Sequence, residues 1–446
     1  MTSFFGTDGV RGRANDLLTP ELALKLARAA AHHMASSGGR AIIGRDTRTS
    51  GPMLEASLAA GFASSGIDVF LAGVIPTPAI SFLIKDEHAD FGAVVSASHN
   101  PPVDNGIKLF DASGMKLPIE EERSIEALLT AALPPAERVG GIRELEAAAT
   151  RYAAFLSGTI DVEEIDLSTY RIVVDCAFGA TGKIAPHVLR HLGADVVELH
   201  TEQDGSRINQ ECGSTHLEAT RDAVARHNAD LGIAFDGDGD RVLLVTPRGR
   251  TIDGDRMMGI VALHMQKRGT LTPAIVVATV MSNLGLEKAL ADRGIRLIRT
   301  PVGDRNVSQA LLAHGAQLGG EQSGHIIFAD HSPTGDGILT AVKLLEVAHE
   351  AKSDLEALAE EIPIYPQIHR TIPWEHPSEA LEREPIQAAI GDAKKALGPR
   401  GRVIARASGT QPVIRLTVEA DDMTLCGEIA TRLEESILRN LQGDAR

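Results

Sequence analysis

Asp236-Gly237-Asp238-Gly239-Asp240-Arg241 directly follows the apolar run LGIAF. Carboxylates at alternate positions, with glycines between them that let the chain curl, can converge on one hard cation, and an oxygen ligand set suits Mg²⁺. A plain acidic turn rarely packs three carboxylates against each other's charge. An EF-hand is excluded by spacing, because its sixth position needs Gly where Arg241 stands and its twelfth needs Glu where Pro247 stands. A strand ending in D-x-D also opens phosphatases whose first Asp takes the phosphoryl group, so that chemistry stands beside the cation site at this point.

Ser96-Ala97-Ser98-His99-Asn100-Pro101-Pro102 again follows an apolar strand. A serine at such a tip can carry a phosphoryl group if a cation balances its charge, whereas a turn of Ser, Asn and Pro without chemistry is an equal reading of the motif alone. Gly320-Glu321-Gln322-Ser323-Gly324-His325 offers a carboxylate and a hydroxyl for vicinal sugar hydroxyls and a histidine for proton exchange. A single histidine beside IIFA is more often structural. Near the C-terminus, Arg406 and Arg415 bracket Ser408-Gly409-Thr410-Gln411, a set suited to a phosphate dianion and equally open to being a hairpin with exposed arginines. Phe5-Gly6-Thr7-Asp8-Gly9-Val10-Arg11-Gly12 adds a further glycine-rich loop with one arginine.

These loops need elements to hold them. Short β-branched runs at 40–46, 67–73, 91–98, 171–176, 194–200, 231–236, 273–280 and 295–302 alternate with amphipathic stretches such as 20–36, which predicts α/β units with mainly parallel strands. A helix is expected within RELEAAATRYAAFL. The Pro- and aromatic-rich segment 363–376 breaks the helical period before a last block of strands, GRVIARAS and VIRLTVEA. With 446 residues the chain exceeds one core, and boundaries are expected to give domains at 1–155, 156–253, 254–365 and 366–446.

The net charge of -16 argues against a nucleic-acid or anionic-membrane surface. The three cysteines are scattered and lack CxxC spacing, which points to reduced thiols rather than disulfides or a zinc site. No apolar run is long enough for a membrane span and the first residues do not form a signal peptide, so a cytoplasmic location is expected.

Taken together and in this order, FGTDGVRG, SASHNPP, DGDGDR, GEQSGH and RASGTQPVIR resemble the α-D-phosphohexomutase superfamily. The resemblance implies a four-domain α/β fold, three similar mixed α/β domains and a smaller C-terminal α+β domain around a central cleft. DNGIKLF, PVGDRNV, LGGEQSGHIIF and TGDGILTA are most similar to the branch that interconverts glucosamine 6-phosphate and glucosamine 1-phosphate through a 1,6-bisphosphate. On that resemblance Ser98 is the phosphoserine, Asp236, Asp238 and Asp240 hold Mg²⁺ with the Ser98 phosphate as a further ligand, and Arg11, Lys108 and His325 act at the reacting groups. His99 and Arg241 lie beside them. Glu321 and Ser323 bind sugar hydroxyls, while Arg406, Ser408, Gly409, Thr410 and Arg415 hold a phosphate. The implied partner is a small phosphosugar, and the resemblance is compatible with a homodimer. Two residues depart from the family pattern: Gln411 stands where Glu is usual and Phe178 where Asn is usual.

Overall fold

The structure, a computed structural model, describes residues 4–6, 8–35, 38–161, 165–408 and 411–442. The chain divides into two compact units, Met1–Thr279 with Ile295–Glu360, and Val280–Gly294 with Glu361–Arg446. The first unit carries three sheets, of seven, five and four strands, and the second carries one of three strands.

In each sheet of the first unit, parallel strands run out to one edge and antiparallel pairing completes the other. Arg40–Arg45 lies between Asp68–Val74 and Phe91–Val95, both parallel to it. Arg171–Asp175 lies between Asp195–Leu199 and Leu231–Phe235, and Ile275–Thr279 between Arg296–Thr300 and Leu318–Gly320, again all parallel. Central strands such as Phe91–Val95 and Leu231–Phe235 are buried along their whole length, as expected of strands covered on both faces, which is why they read as unbroken apolar runs. The expectation of mainly parallel strands thus describes one side of each sheet. The sheets as wholes are mixed.

The antiparallel neighbours explain where the motifs sit. Phe91–Val95 turns through 96–103 into Asp104–Asp111, Leu231–Phe235 through 236–241 into Val242–Val245, and Leu318–Gly320 through 321–325 into Ile326–Phe328. Gly401–Ala407 turns in the same way into Val413–Ala420 in the second unit. Every polar motif after the first loop is therefore a turn at the C-terminal end of a strand that doubles back. The first loop is itself a turn, between Phe5–Gly6 and Gly9–Arg13. Gly9 is obligatory there: its φ is +76°, and a Cβ would lie 2.3 Å from the Ile107 carbonyl oxygen.

Helices cover these sheets for ordinary local reasons. Pro20–Met34 starts with Thr19 accepting from the Leu22 N–H and Pro in the first turn, and buries Leu26 and a row of alanines. The helix expected within RELEAAATRYAAFL runs over Ala148–Ser157, and Ile142–Glu144 just before it is an edge strand. The Asp68 carboxylate accepts from Arg138 at 2.9 Å and from the Gly141 N–H at 2.7 Å, which draws the segment alongside Asp68–Val74 before helix can begin. In the second unit, Glu384–Leu397 and Met423–Gln442 bury Ile390, Leu397, Leu433 and Ile437 around the three-stranded sheet. Among the described residues, no helix is long and apolar enough to cross a membrane.

Candidate active site

The turns of the first unit meet at Ser98. Its strand ends at Val95, which leaves the serine in the turn, buried, with a left-handed φ of +51°. The Ser98 hydroxyl donates to Asp236 Oδ2 at 2.6 Å across the junction of the first two sheets. His99 Nδ1 lies 3.4 Å from the same hydroxyl, and burial, reinforced by the Arg241 and Arg11 charges, lowers this imidazole to about 4. It is therefore a neutral ring at ordinary pH. Arg11 reaches towards the turn from the first loop, 3.5 Å from the Ala97 carbonyl and from Asn100 Oδ1, and pairs with Asp8.

Asp236, Asp238 and Asp240 are all buried and present carboxylate oxygens within 4.8 Å of one another. Gly239 between them adopts φ +70°, and a Cβ there would stand 2.4 Å from Thr181 Cγ2, so the curl is reserved for glycine. Burial and the charges of Asp240 and Asp238 push Asp236 well above the carboxylate range. At Asp238 and Asp240 burial acts in the same direction, but Lys108 outweighs it, helped by Thr77 at Asp238 and by His325 and Arg241 at Asp240, and both are held low. Lys108 Nζ lies 2.9 Å from Asp238 Oδ2, 3.3 Å from Asp8 Oδ2 and 3.8 Å from Asp240 Oδ2. Burial lowers Lys108, but these carboxylates outweigh it together and hold the ammonium raised.

Asp238 Oδ1 and Asp240 Oδ1 are buried and have no hydrogen-bond partner. A buried acceptor without a partner costs about 1–3 kcal/mol, more when charged, and two on adjacent carboxylates are hard to sustain unless a cation fills the place. Hard oxygens from three carboxylates, with the Ser98 oxygen touching one of them, are a donor set that could bind a metal of the Mg²⁺ type.

The third sheet contributes from the other side. His325 Nδ1 is 3.6 Å from Asp240 Oδ2, and Nε2 is 3.9 Å from Asp304 Oδ2. Burial lowers this imidazole and the two carboxylates raise it, with a net rise. The Gly335 N–H donates to Nε2 at 3.1 Å, marking that nitrogen as an acceptor in the neutral ring, so we assign its proton to Nδ1, facing Asp240. Glu321 accepts from the Gly303 N–H at 3.1 Å and adds to the negative field at Arg241, while Ser323 is exposed in the same turn. Arg241 is raised because the charges of Asp240, Asp236 and Glu321 outweigh its burial, and its Nε has no hydrogen-bond partner.

Arg406 and Arg415 belong to the second unit, where they are direct partners across the Gly401–Ala407 and Val413–Ala420 pair. Burial and the Arg415 charge both lower Arg406. Arg415 donates to Gln411 Oε1 at 3.1 Å, and the Ser408 N–H donates to the Val413 carbonyl at 3.0 Å. Gly409 and Thr410 lie outside the described residues.

Four polar residues that the motif reading does not single out complete the cluster: Asp8, Thr77, Lys116 and Asp304. Thr77 donates to Asp238 Oδ2 at 2.6 Å, and Lys116 bridges Asp8 and Asp304. Asp8 and Asp304 sit inside quoted motifs, but Thr77 in IPTPA and Lys116 in GMKLP carry no local signal. A second metal-like grouping, Asp175, His200 and Cys212, is structural. The Asp175 oxygens are occupied by the Ala177 and Gly213 N–H groups, the Thr220 hydroxyl and His200, and burial pushes the Cys212 thiol up to about 12.

Residues 2–134, 150–249, 253–365 and 373–436 match, in order, the alpha/beta/alpha domains I, II and III and the C-terminal domain of phosphoglucomutase/phosphomannomutase. The chain belongs to the phosphoglucomutase/phosphomannomutase family. Two relatives bear on its branch. A phosphoglucosamine mutase of Salinispora arenicola is 47% identical over 447 residues, covering 98% of each chain. A phosphoglucosamine mutase of Pelotomaculum thermopropionicum is 48% identical over 440 residues, covering 97% of this chain and 98% of the relative. Among solved structures, a phosphoglucomutase/phosphomannomutase family protein from Burkholderia thailandensis superposes with a TM-score of 0.84 at 26% identity, over 99% of this chain and 98% of the other. The N-acetylphosphoglucosamine mutase of Aspergillus fumigatus, solved with GlcNAc-6P and magnesium, shares the fold at 17% identity and a TM-score of 0.70, over 97% and 95%. The four-domain α/β architecture of the family is thus that of this chain.

Proposed function

We propose that this chain is a phosphohexose mutase of the isomerase class that interconverts glucosamine 6-phosphate and glucosamine 1-phosphate, working in the cytoplasm on a small phosphosugar. The observation that carries the mechanism is the Ser98 hydroxyl 2.6 Å from Asp236 Oδ2, on the rim of the buried carboxylate trio. The relatives named phosphoglucosamine mutase carry the choice of sugar.

In the forward direction the Ser98 Oγ–P bond breaks and a bond from phosphorus to the sugar O1 forms, the O1 proton ending on Ser98. In the second half the bond from the 6-phosphorus to O6 breaks and a bond to Ser98 Oγ forms, the serine proton ending on O6, and glucosamine 1-phosphate leaves. Such transfer asks chiefly for positioning and for neutralisation of spread charge. Arg11 and Lys108 supply fixed positive charge beside the turn, and Lys108, held as an ammonium, suits proton donation to a departing oxygen rather than proton removal. Asp236, Asp238 and Asp240 would hold Mg²⁺ together with the serine phosphate. Bound there, the ion supplies Lewis-acid neutralisation of phosphoryl oxygens. His325, after Lys108, helps hold Asp240 low. Glu321 and Ser323 take sugar hydroxyls, and Arg406, Ser408 and Arg415, with Gly409 and Thr410, take the phosphate that is not being transferred.

The aspartyl-phosphatase reading weakens on the same geometry, since Asp236 Oδ2 already accepts the serine hydroxyl. The test is a coupled assay on glucosamine, glucose and mannose 6-phosphates with Mg²⁺ and catalytic 1,6-bisphosphate, alongside Ser98→Ala. Preference for the amino sugar, a hydroxylamine-stable phosphoryl label and loss of turnover in the variant are expected. Full activity of Ser98→Ala, or a label removed by hydroxylamine, defeats the proposal.

A further inference from the structure

Ser98 holds a backbone conformation that costs an L residue on the order of 1–2 kcal/mol, so something must fix it. Its N–H donates to Ser96 Oγ at 2.9 Å, and Ser96 in turn donates to Asp46 Oδ2 at 2.6 Å. Its carbonyl accepts twice, from Arg48 Nη2 at 3.0 Å and from Asn209 Nδ2 at 2.8 Å. The Asn100 carbonyl is gripped by the same two atoms, at 2.8 Å and 3.2 Å. Arg48 Nη1 donates to the Asp104 carbonyl at 2.8 Å and to that of Pro101, and Nε donates to Asp46 Oδ2 at 3.0 Å.

Arg48 is fully buried, and its five N–H groups meet four carbonyls of one turn and one carboxylate. Burying a guanidinium is costly, and a fork with fixed angles fits several carbonyls at once where an ammonium does not. Asn209 reaches the turn from the segment before Cys212 and is itself left-handed, φ +60°, with its N–H on the Ala177 carbonyl at 3.0 Å. One clamp member thus comes from each side of the junction that the serine hydroxyl crosses to reach Asp236.

We infer that Arg48 and Asn209 are positioning residues that set the Ser98 hydroxyl on the carboxylate trio by gripping the backbone carbonyls of its turn. Neither touches the reacting atoms. The inference rests on Ser98 as the transferring group. Misplacement of a reacting group by about 1 Å costs about 100-fold in rate, and the loss falls on kcat because sugar-binding groups are untouched.

The experiment compares wild type, Asn209→Ala, Arg48→Lys and Arg48→Ala as full chains, measuring kcat and KM for glucosamine 6-phosphate, single-turnover loss of label from Ser98, and melting temperature. Asn209→Ala and Arg48→Lys are expected to lose about tenfold to 100-fold in kcat and in label transfer, with KM within about twofold. Lysine keeps the charge, so a deficit in Arg48→Lys assigns the effect to the fork. If Arg48→Ala does not fold, the other two variants decide. Wild-type kcat in folded Asn209→Ala, full recovery in Arg48→Lys, or a rise in KM matching the whole deficit overturns the inference. Absence of label and turnover in the wild type refutes the mutase reading itself, and the inference with it.

Discussion

Replacing Thr77 by Val removes one hydroxyl and little volume, and the oxygen it served belongs to the carboxylate trio. Asp238 Oδ2 has two partners, Thr77 Oγ1 at 2.6 Å and Lys108 Nζ at 2.9 Å, while Oδ1 has no hydrogen bond. Together the two donors pin one oxygen and leave the other buried without a hydrogen bond, beside the carboxylates it could share a cation with. A hydrogen bond to a charged group is worth about 1.5–3 kcal/mol, and loss of a ligand's outer partner lowers metal affinity about 10- to 100-fold, which agrees with that energy at 1.4 kcal/mol per tenfold. Isothermal titration of Mg²⁺ into the full chain should therefore show Thr77→Val weaker by about one to two orders of magnitude, with Thr77→Ser near wild type. Because the readout is binding, it does not depend on turnover. A folded Thr77→Val that binds Mg²⁺ within about twofold of wild type would show that Lys108 alone orients Asp238, and the reasoning fails.

Arg415→Ala should raise KM for the phosphosugar about tenfold or more, since a charge-assisted bond is lost and Arg406 is left alone; unchanged KM and kcat/KM would remove Arg415 from the phosphate site. Asp336 is buried against Tyr152 Oη, which donates at 2.6 Å, and burial raises its carboxyl to about 6 from 3.8. A folded value above the unfolded one means the stabilising effect is full below about pH 4 and lost as pH rises through about 6, amounting to about 3 kcal/mol. Asp336→Asn should flatten the decline in melting temperature between pH 4 and 7, and a variant with the wild-type slope would refute that assignment.

Much of the fold was legible because strands buried on both faces must be largely apolar, and such runs at 91–95, 172–174, 231–235 and 275–279 stand out between amphipathic stretches. The edge strand Ile142–Glu144 was not, because three exposed residues bury nothing and leave no period to read. The motif turns were legible as chemistry from their residue types. Thr77, Lys116, Arg48 and Asn209 were not, since each acts on groups brought near only by folding, as with Asn209 and Ser98, 111 positions apart.

The sequence by itself determined which groups were on offer: a serine at a strand tip, three carboxylates at alternate positions, and arginines around a C-terminal turn. Only the tertiary structure decided their states of charge. Asp236, Asp238 and Asp240 are the same residue in the same short turn, yet one is pushed up and two are held low, because Lys108, His325 and Thr77 arrive from a distant strand, a turn and a helix start. Charge on a buried group depends on what lies within a few ångströms, and chain order does not contain that distance.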